Sequence, residues 1–155
     1  MQIEDIKRMA RTILEQNRIE TDYIEYKKSV NFKAGILKTA CAYANNYMNR
    51  ELGLIYIGVE EVDDKKTGEK AIPVRPISGL KESLIETIEN TLKNLLANIH
   101  PTIRYHLITD EIDERRYIVV AVEPGNAGPY QTSNKAERDK TFVLCQNWIW
   151  RRVWD

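Results

Sequence analysis

Residues 53–59, Gly-Leu-Ile-Tyr-Ile-Gly-Val, form the longest uninterrupted apolar run in the chain, rich in β-branched and aromatic side chains. A run with no polar face to offer water predicts a central strand covered on both sides. It is far short of the roughly 20 residues that a membrane span needs, so no membrane partner is expected.

The flanking segments take other periods. Ile3, Ile6, Met9, Ala10, Ile13 and Leu14 recur at three-and-four spacing, with Glu4 and Asp5 early and Arg11 late. That predicts an amphipathic first helix. Residues 23–27 alternate instead, with Ile24 and Tyr26 on one face and Tyr23, Glu25 and Lys27 on the other. A strand there aims Glu25 and Lys27 the same way. Helical spacing returns over 33–48 through Ile36, Leu37, Ala40, Cys41 and Ala44. Residues 60–70 are polar and read as a loop, and Pro73 and Pro76 limit 71–77 to a short edge strand. Leu84, Ile85, Ile88, Leu92, Leu95, Leu96 and Ile99 predict a long helix over 81–99, closed by Pro101. Residues 103–109 and 117–122 read as a hairpin around 110–116, and 141–153 as one or two last strands. Helices alternating with strands early and hairpins late predict an α+β fold, a two-layer α/β sandwich with a mixed β-sheet. A length of 155 residues suits one domain over 1–155, with the first helix as an N-terminal extension.

Lys plus Arg and Asp plus Glu number 23 each, so overall charge selects no polyanion. The distribution is uneven. From Tyr26 to Arg50 there are five bases (Lys27, Lys28, Lys33, Lys38, Arg50) and no acid, whereas 51–90 holds nine acids against five bases. The charged N-terminus lacks an apolar signal region, so a cytoplasmic address is expected. Cys41 and Cys145 lie far apart with no metal-spaced companion, and such a compartment keeps both as thiols.

No Gly-rich phosphate loop is present, and His100 and His106 have no Ser or Cys motif around them. The chemistry-bearing set is Glu20, Glu25 and Lys27, with Glu60, Glu61, Asp63 and Asp64 directly after the apolar run. If the two strands pair in parallel across the helix 33–48, the end of one and the face of the other approach. Three carboxylates in one place repel unless a divalent cation binds them, as hard oxygen ligands hold Mg²⁺ or Mn²⁺ for phosphodiester cleavage. A plain solvated acidic face is the other reading of the same spacing.

The run Glu20 to Lys27, then Thr39 to Asn45, then Leu54 to Glu61 resembles the AlbA_2 domain family, once labelled divergent AAA-4 and shared with Schlafen proteins. That family reads as Glu, four residues, Glu, an aromatic and Lys; a helix ending in Ala, an aromatic, Ala and Asn; and a strand ending in Gly, Val and two acids. Gly79-Leu80 before the long helix, Pro101 after it, and Pro129-Tyr130 beyond the hairpin follow the same order. The resemblance implies an Alba/Schlafen-like α/β domain that binds nucleic acid in transcriptional regulators. In the Schlafen branch it implies an endoribonuclease with three acids and a lysine, here Glu20, Glu25, Glu61 and Lys27. Glu61 stands where the family commonly has Asp, and 46–53 replaces the family's Gly-Gly turn. The usual C-terminal motif is replaced over 142–154, where Trp148, Trp150 and Trp154 share a strand face and arginines interleave.

Three functions are expected from these residues. The first is a nucleic-acid-binding (DNA-binding) domain of a transcriptional regulator, its DNA or RNA held by Lys27, Lys28, Lys33, Lys38, Arg50, Arg151 and Arg152, with no cofactor required. The second is a metal-dependent endoribonuclease in which Glu20, Glu25 and Glu61 hold Mg²⁺ or Mn²⁺ and Lys27 steadies the scissile phosphate. The third is a protein-interaction module whose tryptophan edge completes a homo-oligomer.

Overall fold

A computed structural model describes residues 2–18, 20–21, 23–45, 51–63 and 71–132. In chain order the elements are α1 (Ile3–Glu15), β1 (Ile24–Lys27), α2 (Lys33–Ala44), β2 (Gly53–Ile57), β3 (Glu61–Val62), β4 (Ile72–Pro73), a 3-10 turn (Glu82–Leu84), α3 (Ile85–Leu96), β5 (Ile99–His100), β6 (Tyr105–Ile112), β7 (Arg115–Val122) and β8 (Gln131–Thr132). This is the expected α+β class, with a four-stranded mixed sheet and three helices among the described residues. The residues gather into two compact units, and each is taken in turn.

The first unit combines Met1–Ser29, Leu54–Glu86 and His106–Ala121. Its sheet runs in the order β1-β2-β7-β6. The apolar run lies in the interior strand β2, every residue of which is buried. β1 and β2 pair in parallel, Ile24 opposite Leu54 through Lys27 opposite Ile57. Parallel neighbours cannot be joined by a tight turn, so the chain between them, which includes α2, supplies the crossover. Ile24 and Tyr26 are buried while Glu25 and Lys27 keep partial access to water, the alternation that the sequence predicts.

Three tyrosines cross adjacent strands. Tyr26 and Tyr56 face each other in register with ring centroids 5.1 Å apart, and Tyr56 and Tyr117 stack at 6.2 Å. Each buried hydroxyl needs a partner. Tyr26 donates to the Arg18 carbonyl at 2.6 Å, Tyr56 to the Ala10 carbonyl of α1 at 2.7 Å, and Tyr117 to Asp110 Oδ2 at 3.2 Å. The Tyr56 bond ties α1 to the sheet, and Ile6, Ala10, Ile13 and Leu14 bury the helix's apolar stripe.

The hairpin of β6 and β7 is tighter than its sequence predicts. Its turn is only Asp113 and Glu114, both left-handed with φ of 57° and 61°. Turns of this type favour Asn-Gly or Asp-Gly, and a residue with a Cβ is strained there. A tertiary clamp offsets the strain: Arg75 Nε and Nη2 donate to Asp113 at 2.6 and 2.8 Å, and the Ile77 N–H donates to the same carboxylate at 3.1 Å. Residues 60–70, read as a loop, contain β3, which pairs antiparallel with β4.

The second unit combines Val30–Gly53, Thr87–Tyr105 and Val122–Asp155. Gly35 through Asn45 are buried except for Lys38, so α2 is enclosed along almost its whole length. Asn45 organises its end. Its Oδ1 accepts the Tyr130 N–H at 2.7 Å, and its Nδ2 donates to the carbonyls of Cys41 and Tyr130, each at 3.0 Å. Cys41 is buried with its Sγ 3.2 Å from the Tyr130 carbonyl, and Cys145 lies outside the described residues. The predicted helix over 81–99 is cut at both ends. A 3-10 turn precedes it with Leu84 exposed, and Ile99 and His100 leave the helix to pair with Thr132 and Gln131 of β8. The backbone bonds of that strand pair replace the helical ones that the apolar spacing implies. The strands expected over 141–153 lie outside the described residues.

Candidate functional site

The candidate acids and Lys27 all belong to the first unit, where the parallel β1–β2 pair sets their positions. The Lys27 carbonyl, at the end of β1, accepts the N–H groups of Gly58 at 2.8 Å and Val59 at 3.1 Å. Gly58, with φ of 99°, then turns the chain out of β2. A side chain at 58 would collide with Leu80, so glycine is required there twice over. This turn leads into Glu60 and Glu61. The Val74 N–H donates to the Glu60 carbonyl at 2.7 Å, and the Glu20 N–H donates to the Ala71 carbonyl at 3.0 Å, so the β3–β4 hairpin is held against the segment that precedes β1.

Two carboxyls meet as a result. The Glu20 carboxyl lies beside that of Glu61, close enough for the second to act directly on the first. Burial is the largest cause that pushes the Glu20 carboxyl up, to about 8; the contact with Glu61 and the negative charges of Glu61 and Glu25 add to it. The Tyr26 N–H, donating to Glu20 Oε1 at 3.0 Å, works in the opposite direction. Glu25 and Lys27 lie side by side on β1 as an ion pair with 3.9 Å between Nζ and Oε1. The chemistry available is a Glu20 carboxyl that favours its neutral form, beside Glu61 and the Glu25–Lys27 ion pair.

Of the sequence-derived site, Glu20 and Glu61 are in contact, Glu25 and Lys27 are paired, and the charge of Glu25 reaches Glu20. Among the described residues no three His, Cys, Asp or Glu side chains form a group that holds a metal ion as they stand. Asp63 serves the hairpin instead, its Oδ1 accepting the Ala71 N–H at 3.1 Å. Lys28 follows β1 in the first unit and is exposed; Lys33 and Lys38 lie on α2 in the second, Lys33 exposed and Lys38 half-buried. Arg50, Arg151 and Arg152, with the three tryptophans, lie outside the described residues. The sequence gives no sign of the Tyr26 N–H as a site group, since only the strand's start relative to Glu20 defines it.

The fold is shared with a solved structure. The N-terminal domain of a RecG-related protein from Nitrosomonas europaea, named for ATP-dependent DNA helicase activity, superposes with a TM-score of 0.64 at 19% identity, covering 81% of each chain. The DIP2311 protein from Corynebacterium diphtheriae gives a TM-score of 0.47 at 14% identity, covering 83% of this chain and 24% of that one. No curated protein sequence matches the chain. No helix among the described residues is long and apolar enough to cross a membrane. The Schlafen, AlbA_2 family model matches residues 20–151, which begins at Glu20 and includes the whole acid and lysine cluster, and the chain belongs to that family.

Proposed function

We propose that this chain is a nucleic-acid-binding domain, with DNA binding in a transcriptional regulator as its expected setting. One observation carries the proposal: the described residues from Tyr26 to Asn45 hold four lysines and no acid, and Lys28 and Lys33 are exposed. Positive charge that runs together in sequence in this way attracts phosphates, whatever the balance of the whole chain. Membership of the Schlafen, AlbA_2 family and the fold shared with the RecG-related N-terminal domain support it. The test is the salt dependence of binding by Lys28→Ala and Lys33→Ala. Each substitution is expected to lower the slope of log affinity against log salt by about 0.7–0.9, the value for one lost phosphate contact. Unchanged slopes in both variants overturn the assignment of these lysines.

The carboxyl cluster favours a second reading, phosphodiester cleavage. Glu20, Glu25 and Glu61 offer hard oxygen donors that would suit Mg²⁺ or Mn²⁺, with Glu20 giving up its proton on binding. The ion would supply charge stabilisation at the phosphate, Lys27 would hold a phosphate oxygen, and the Tyr26 N–H would fix the Glu20 carboxyl. Cleavage that persists in Glu25→Ala and in EDTA excludes this reading.

A further inference from the structure

Phe32 is an exception within the second unit. It is 65% exposed, although α2, which it caps, is enclosed almost completely from Gly35 onward. Its ring has a fixed seat: a Cβ built on Gly35 would run into Phe32 Cδ1 and Cε1, so the absent side chain at 35 lets the ring lie against the helix. Lys33, next in sequence, is exposed as well. From Val30 to Asn45 the only charged side chains are Lys33 and Lys38, so no carboxylate of this segment opposes a phosphate. An aromatic face presented to water and bordered by positive charge matches a base and its phosphate at once.

We infer that Phe32 is a stacking platform for an unpaired nucleobase, with Lys33 on the adjoining phosphate, and that the partner is therefore single-stranded nucleic acid. The inference rests on the nucleic-acid-binding function proposed above and narrows it. Every base has a π-face, so one exposed ring binds without sequence preference. In a duplex those faces are already stacked on one another, and the ring has nothing to cover. Because the Phe32 ring also lies over Gly35, thermal unfolding of each variant and the ring-preserving Phe32→Tyr separate loss of stacking from loss of fold.

The experiment measures fluorescence anisotropy of labelled oligo(dT) and oligo(U), each of about twelve nucleotides, against a duplex of equal length, a span within the usual site sizes. Phe32→Ala and Phe32→Leu are expected to weaken single-strand binding about 5- to 100-fold, and Phe32→Tyr to restore it. Leucine keeps the bulk and loses the ring, which separates stacking from simple apolar contact. Duplex binding should change no more than about twofold. The salt slope of Phe32→Ala should match the wild type, because no phosphate contact is lost. Wild-type single-strand affinity in Phe32→Ala, or equal losses on single strand and duplex, overturns the inference while the broader function stands. A wild-type chain that binds neither oligonucleotides nor duplex overturns both.

Discussion

Glu20 and Glu61 bring their carboxyls side by side, across the contact that joins the segment before β1 to the β3–β4 hairpin. The Tyr26 N–H holds the other side of the Glu20 carboxyl at 3.0 Å, so the group is fixed from two directions. A carboxyl in this position favours its neutral form, and the consequence is a dependence of stability on pH with a definite sign.

In the unfolded chain Glu20 titrates near 4.5, and in the folded chain near 8. Between those values the folded state keeps a proton that the unfolded state has released, so folding weakens as pH rises through this window. Glu20→Gln preserves an acceptor for the Tyr26 N–H and a donor for Glu61, and removes the charge. It should be more stable than the wild type above pH 8 by an amount on the order of 1 kcal/mol, after screening by water at this partly exposed site, and nearly equal to it at pH 4. Urea unfolding of both proteins from pH 4 to 9 reads the effect. Parallel curves across that range contradict the raised Glu20 carboxyl.

The Arg75 clamp on Asp113 makes a different prediction. The guanidinium holds the Asp113 carboxyl below its ordinary value, chiefly through the paired hydrogen bonds. A lowered carboxyl stabilises the fold above its ordinary range and loses that contribution as pH falls through the folded value. Asp113→Ala removes the carboxylate, leaving Arg75 and the Ile77 N–H without their acceptor, and should cost about 2 kcal/mol at neutral pH. Chemical denaturation at pH 7 checks it, and a change under about 0.5 kcal/mol, the range of an ordinary surface substitution, counts against the clamp.

Glu114 sits in the same turn without such a clamp, at φ 61°. Glycine takes that conformation freely, and the relief exceeds the extra entropy it loses on folding. Glu114→Gly should therefore stabilise the protein by about 0.5–1 kcal/mol. A destabilised variant would mean that the turn is not left-handed at 114.

Tyr56 gives the clearest buried hydroxyl. It is fully enclosed, and its hydroxyl donates to the Ala10 carbonyl in the middle of α1. Tyr56→Phe keeps the ring between Tyr26 and Tyr117 and should cost about 1–2 kcal/mol, with α1 the first element to lose protection. Hydrogen exchange along residues 3–15 distinguishes this from a uniform loss.

These contacts were legible in the sequence to different degrees. The strand period at once places Glu25 and Lys27 on one side, since alternation is a local property of 23–27, and the apolar run announces β2 because nothing in it tolerates water. The Glu20–Glu61 contact depends on a hairpin of two-residue strands that carry Pro73 and exposed Glu61, and no local pattern marks it. The sequence places the β6–β7 hairpin but not its two-residue turn, because Asp-Glu is a poor turn sequence, held here by Arg75 from a distant loop. Likewise, the tyrosines read as ordinary apolar positions until the register sets Tyr26 against Tyr56. Phe32 precedes a helix whose spacing marks only the buried residues, so its exposure is a product of packing.

Binding of labelled DNA and RNA across a salt series, with and without Mn²⁺ and followed by gel analysis of the RNA, tests the proposed function most directly. The account predicts affinity that falls steeply and linearly on a log–log plot as salt rises, by about 0.7–0.9 in slope for each phosphate contacted. Absence of binding at low salt, or binding that salt leaves unchanged, would contradict it.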